Sequence, residues 1–191
     1  MNLESASDVT VLVVDDEPDV ADVYALHLQR RYDVRKAYGG EEALELVDSD
    51  VDVVLLDRRM PDRSGDEVLE ELRARGLDCR VIMTTGVEPD FDILEMPFDD
   101  YLCKPIRSET LFESIDQQVL AATYEENVNE FFTVSAKIGL LEAEKLPQEL
   151  EDSEEYRALK RQAGELKAEL DEVLAGFDDL VTAFESIDRW T

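Results

Sequence analysis

Apolar residues along the first 120 positions fall into two alternating patterns. Short, nearly continuous runs rich in valine, isoleucine and leucine occupy 9–14, 51–56 and 80–84, and weaker ones occupy 32–37 and 101–103. Runs of that length and β-branched content, with little polar alternation, predict strands buried on both faces. Between them lie amphipathic stretches at 18–30, 40–47 and 65–75, a weak one near 90–94, and one from 108 onward. Pro18 suits the first turn of the first stretch. Five β-α units of this kind predict an α/β fold, a doubly wound five-stranded parallel sheet with helices on both faces.

Beyond position 122 the strand signal disappears. Tyr156, Leu159, Ala163, Leu166, Leu170, Val173, Phe177, Leu180, Phe184 and Ile187 recur at alternating spacings of three and four, a seam of period 3.5 sustained over four heptads. Tyr124, Val128, Phe131, Ser135 and Ile138 form a shorter seam upstream. Pro147 separates the two, and Asp152 with Glu155 fits a capping box opening the second helix. The expectation is an all-α helical hairpin or coiled coil over 123–191, turning near 146–151, behind a first domain of 1–122. The second stretch is longer than 123–145 at ~1.5 Å per residue. Either the helix that closes the first domain runs unbroken into the tail, or the second helix bends near Gly176; the absence of a breaker in "QQVLAATYEENVNE" favours the unbroken helix. A lone hairpin buries little surface, so its seam should pack on a second hairpin, making a homodimer, or on the first domain.

Charge changes the picture of the surface more than of the fold. The 191-residue chain carries a net −29, from 30 acids against 12 bases in 1–120 and 18 against 7 in 121–191. Acid spread through ordinary periodicity describes a solvated surface rather than an acidic tail. With lysine scarcer than arginine, it suits a halophilic cytoplasm, where salt screens self-repulsion within a few ångströms. The tail's net −11 and the absence of a basic recognition helix argue against direct nucleic-acid binding, although Lys160, Arg161 and Lys167 form a small basic patch. No apolar run approaches the ~20 residues of a membrane span, and "MNLESASDV" lacks the features of a signal peptide, so a cytoplasmic protein without membrane contact is expected. Cys79 and Cys103 show no ligand spacing and read as core thiols, and His27 has no phosphotransfer motif around it.

In a parallel sheet the functional crevice lies beyond the C-terminal strand ends. Asp15 and Asp16 end the first strand, Asp57 the third, Thr84 and Thr85 the fourth, and Lys104 follows the fifth. Unpaired carboxylates ~4 Å apart repel by a few kcal/mol at an effective dielectric of about 20, so such a cluster needs a cation or raised pKa values. All-oxygen ligands favour a hard divalent ion, and Mg²⁺ commonly takes one or two carboxylates while binding phosphoryl oxygens. An acid pair after a strand can also cap the next helix. Asp57 and Lys104 at matching strand ends favour the metal.

The segments "VLVVDDEPD", "VVLLDRRMPDRSG", "VIMTTG" and "DDYLCKPI" resemble, in order and spacing, the signatures of response-regulator receiver domains, over roughly 8–122. The resemblance implies a flavodoxin-like sheet and makes Asp57 the phospho-acceptor, taking a phosphoryl group from a sensor histidine kinase. It implies Mg²⁺ held by Asp15, Asp16, Asp57 and the backbone carbonyl of Arg59, with Lys104 on the phosphoryl oxygens and Pro105 as the family's cis proline. The family places its switch hydroxyl directly before a small residue, which selects Thr85 before Gly86 and leaves Thr84 to the core. Tyr101, three before the lysine, matches the aromatic that follows that hydroxyl inward. Positions that tune phosphate lifetime in the family are here Arg59 and Val87, and a valine cannot orient an attacking water, so slow self-dephosphorylation, over minutes or longer, is expected. Two prolines in "EPDFDILEMPFDD" imply a short or irregular fourth helix. The tail is similar to the HalX-type domain that follows receivers in haloarchaeal regulators.

Three functions stay open. One is a two-component response regulator, catalysing only its own phosphoryl transfer and dephosphorylation, whose helices dimerise or dock a downstream protein. The second is a DNA-binding transcriptional regulator. The third is an aspartyl-nucleophile phosphatase, whose usual D-x-D after the first strand meets Glu17 at that spacing here.

Overall fold

The computed structural model describes residues 9–86, 89–175, 182 and 187. Five parallel strands, β1 (Thr10–Val14), β2 (Asp33–Ala37), β3 (Val53–Asp57), β4 (Arg80–Thr85) and β5 (Asp100–Cys103), pair in the order β2-β1-β3-β4-β5. They alternate with α1 (Pro18–Leu28), α2 (Gly40–Leu46) and α3 (Gly65–Ala74), and β5 leads into α4 (Ser108–Glu144). Where a fourth helix would lie between β4 and β5 there is a 3₁₀ turn, Phe91–Glu95, in keeping with the prolines around it.

Alternating strand residues build two cores. Leu12, Val14, Val54, Leu56, Val81 and Met83 face Leu44, Val68, Leu69 and Leu72 of α2 and α3. Val11, Val13, Val53, Leu55, Ile82 and Leu102 face Ala21 and Leu28 of α1 and Leu111 and Ile115 of α4. Apolar cover on both sides is why these strands read as continuous apolar runs. The register aligns Val14 with Leu56, Asp57 with Thr84, and Thr85 with Cys103, so the strands end together at one edge.

The chain divides into two compact units, 1–119 with 187–191, and 120–186. In the second, α4 continues to Glu144, a short α5 (Pro147–Asp152) occupies the expected turn, and α6 (Glu154–Ala175) returns. Antiparallel pairing is marked by Tyr156 and Lys160 donating to Glu142 at 2.6 and 3.1 Å, by Gln162 donating to Glu130 at 2.6 Å, and by Asn127 donating to Glu169 at 3.2 Å. Its core is Val134, Ile138 and Leu166, with Phe131, Tyr156, Leu159 and Ala163 against them.

Three details of the expected seam change. Val134, not Ser135, is the buried position, because the apolar neighbour gains more from facing α6 than the hydroxyl does. The cap opening α6 is Ser153 rather than Asp152: its hydroxyl accepts from the Tyr156 N–H at 3.1 Å and donates to Glu155 at 2.9 Å. Ile187 is buried with the first unit's core, alongside Val11 and Leu111, and not on the helical seam. Phe177, Leu180 and Phe184 lie outside the described residues.

Candidate functional site

Each acidic residue of the cluster is delivered by a strand end. Asp15 follows β1, held there by its N–H on the Ala37 carbonyl at 3.2 Å, and Asp57 is the last residue of β3. Asp15, Asp16 and Asp57 each bring a carboxylate oxygen within 4.8 Å of the others. The competing role as helix cap is not filled by either acid of the pair: Glu17 stands at the N-cap of α1 and makes no side-chain cap bond, and Asp15 instead accepts from the Glu17 N–H at 3.1 Å.

Lys104 balances part of the charge. Its Nζ lies 2.6 Å from Asp15 and 2.9 Å from Asp57, and both carboxylates are buried. Burial works against its charge, but the hydrogen bonds to the two aspartates carry its pKa above the ordinary lysine value. Burial likewise pushes the Asp57 carboxyl up, opposed by Lys104 and reinforced by Asp15 and Asp16. Three carboxylates against one ammonium leave negative charge and hard oxygen donors in one pocket, a donor set that fits a divalent cation such as Mg²⁺. The Lys104-Pro105 peptide is cis, as the sequence resemblance implied.

Thr84 and Thr85 are both buried. The Thr84 carbonyl accepts from the Arg58 N–H at 3.1 Å, and the Thr85 carbonyl from the Lys104 N–H at 2.7 Å, so the loops carrying Arg58 and Lys104 are tied to β4. Gly86 is exposed at the end of β4, Arg59 is exposed in the loop after Asp57, and Val87 lies outside the described residues. Tyr101 is 7% exposed and packs against Phe98, ring centroids 5.6 Å apart.

Two contributors were missed from the sequence. Arg58 lies 3.0 and 3.2 Å from the two oxygens of Asp66, bonds Asp92 in the 3₁₀ turn, and hydrogen-bonds the Tyr101 hydroxyl. It borders a cavity of about 650 Å³ with Arg59, Met60, Ser64, Asp66, Asp90 and Asp92. Nothing local distinguishes Arg58 from a surface arginine, since two of its partners are 34 and 43 positions away. Gly65 is the other. A Cβ there would stand 2.2 Å from the Asp57 carbonyl oxygen, so only glycine lets α3 start this close to the end of β3. Ser64 and Glu67 cap that start reciprocally, and "S-G-D-E" before an apolar run was the available signal.

A five-stranded parallel sheet with a carboxylate cluster and a lysine at its C-terminal edge defines a receiver-type signalling module. The model of the response regulator receiver domain matches residues 11–116, and the chain belongs to that family. The HalX domain model matches 120–188. A receiver domain protein (CheY-like) from Methanospirillum hungatei is 26% identical, with a TM-score of 0.58, covering 62% of this chain and 99% of its own. A response regulator receiver domain protein from Clostridium thermocellum is 28% identical, with a TM-score of 0.56, covering 60% and 97%. A Haloferax volcanii protein named "Putative transcriptional regulator" is 46% identical over 167 residues, 87% of this chain. The chain spans 28% of that relative's length.

Proposed function

We propose that this chain is a response regulator in which Asp57 accepts a phosphoryl group from the phosphohistidine of a sensor kinase in the cytoplasm. The observation that carries the reading is the convergence of Asp15, Asp16 and Asp57 within 4.8 Å, with Lys104 bridging Asp15 and Asp57. Asp15, Asp16, Asp57 and the Arg59 carbonyl would hold Mg²⁺, which supplies charge neutralisation for phosphoryl transfer. Asp57 is a nucleophile once ionised and needs no base. Lys104, already 2.9 Å from its carboxylate, is placed to meet charge on the incoming phosphoryl oxygens. Thr85 takes a phosphoryl oxygen through its hydroxyl, and Tyr101, on the neighbouring strand and in bond with Arg58, reports the change toward the 3₁₀ turn. With valine at position 87 the phosphate persists for minutes or longer.

The helical unit is the output, working as a homodimer or as a dock for a downstream protein. The name of the Haloferax volcanii relative favours a second reading, control of transcription. The net −11 of 121–191 directs that control through a partner rather than through direct DNA contact. Incubation with acetyl phosphate and Mg²⁺ at high salt should give a chain one phosphoryl group heavier by intact mass, sensitive to hydroxylamine and missing in Asp57→Asn. Equal labelling of Asp57→Asn would overturn the reading.

A further inference from the structure

The two long helices of the second unit differ in a way the hairpin does not use. α6 is amphipathic: Leu166 and Leu170 are buried, while Glu154, Glu155, Glu165, Glu169 and Glu172 are exposed. α4 is apolar on both sides. Its inner side supplies Phe131, Val134 and Ile138 to the hairpin core. On the opposite side, Phe132 is 66% and Leu140 69% exposed, and Asn129, Ala136, Gly139 and Ala143 are exposed with them. At 100° per residue these six positions share one face, spaced three and four apart. An exposed apolar side opposite a buried one is surface that a second partner can cover.

Charge identifies what can cover it. The chain carries 48 acids, yet none falls between Glu130 and Glu142, and this face is uncharged from Asn129 to Ala143. Two chains of net −29 repel one another over most of their surface, and here they can meet without bringing carboxylates together. The face offers no cation to a nucleic acid or an anionic membrane. It is also self-complementary. About Ala136, the pairs Phe132 with Leu140 and Asn129 with Ala143 are equidistant. A two-fold axis at Ala136 with the helices antiparallel therefore sets each large side chain against the other kind, with the small Ala136 and Gly139 permitting close approach. Parallel pairing would oppose Glu125, which continues this face one turn earlier, to its own copy.

We propose that the outer face of α4 is the homodimer interface, and that two copies pair antiparallel through it about Ala136. The proposal deepens the homodimer reading above by naming its surface, and it requires no phosphorylation. Full-length chain at high salt without Mg²⁺ should give twice the monomer mass by light scattering. Leu140→Glu and Phe132→Glu, at exposed positions, should each weaken dimerisation at least tenfold while the helical circular dichroism stays unchanged. With oxidised glutathione, Ala136→Cys should form a disulfide-linked dimer and Ala143→Cys should not, because its copies lie ~21 Å apart along an antiparallel pair. Wild type, retaining Cys79 and Cys103, sets the background. A monomer at every salt concentration would overturn the proposal, as would a Leu140→Glu dimer of undiminished affinity. Linking of Ala143→Cys as efficient as that of Ala136→Cys would overturn the antiparallel arrangement. None of these outcomes bears on phosphorylation of Asp57, which the acetyl phosphate experiment decides separately.

Discussion

The receiver unit and the helical unit share one acidic composition and use it in opposite ways. In the receiver, two apolar layers enclose the sheet, and that rigidity holds three carboxylates together against their repulsion. In the helical unit the core is a short row centred on Val134, Ile138 and Leu166, the acids are solvated, and the distinctive surface is the one without charge. A deep core can hold like charges together; a thin one leaves apolar surface exposed.

The sharpest test of that contrast is Asp57→Asn. It should abolish phosphoryl uptake altogether while leaving the helical unit's association intact, as phosphate-mimic binding and light scattering would show. A loss of dimer in the unphosphorylated variant would break the separation between the units.

Core truncations come next. Leu56→Ala, in a fully enclosed layer, should cost about 3–5 kcal/mol in denaturant unfolding. Leu166→Ala, in a thin cluster that can collapse, should cost about 2 kcal/mol. Equal costs would mean that the helical core is as closely packed as the receiver's.

Arg58→Met should have a smaller effect, confined to the receiver. Removing the guanidinium that joins Asp66, Asp92 and Tyr101 should raise amide exchange in the Phe91–Glu95 turn by about tenfold, equivalent to about 1.4 kcal/mol, while acetyl phosphate labelling of Asp57 continues. Unchanged exchange would show that the turn is held by other contacts.

The smallest expected effect is the pH dependence of the site. Burial raises the Asp57 pKa above that of a free aspartate, so its proton favours the fold at low pH, and that contribution is lost as pH rises through the raised value. The proposed Mg²⁺ would bind the ionised form. Its affinity should therefore fall as pH falls, beginning above the ~3.9 of an unperturbed aspartate, and added Mg²⁺ should restore stability on the high-pH side. Thermal melts in a pH series with and without Mg²⁺ would show this, and a Mg²⁺ effect independent of pH would contradict it.

What the sequence by itself determined was whatever is written locally. β-branched runs named the strands, and parallel topology then required Asp15, Asp57, Thr85 and Lys104 to emerge at one edge, because every strand in such a sheet points the same way. The unbroken α4 was legible from the absence of a breaker, but periodicity gave it one seam, and the exposed Phe132 and Leu140 on its other side emerged only with the structure. Only the tertiary structure decided which partners each group takes. Lys104 divides itself between Asp15 and Asp57, Arg58 reaches Asp92 and Tyr101, and Gly65 lies against the Asp57 backbone. Val134 displaces Ser135 from the hairpin core, and Ile187 joins the receiver core instead of the seam. Periodicity fixes the direction of a side chain relative to its own element. Its partner depends on where a distant loop or helix comes to lie, and that is a property of packing.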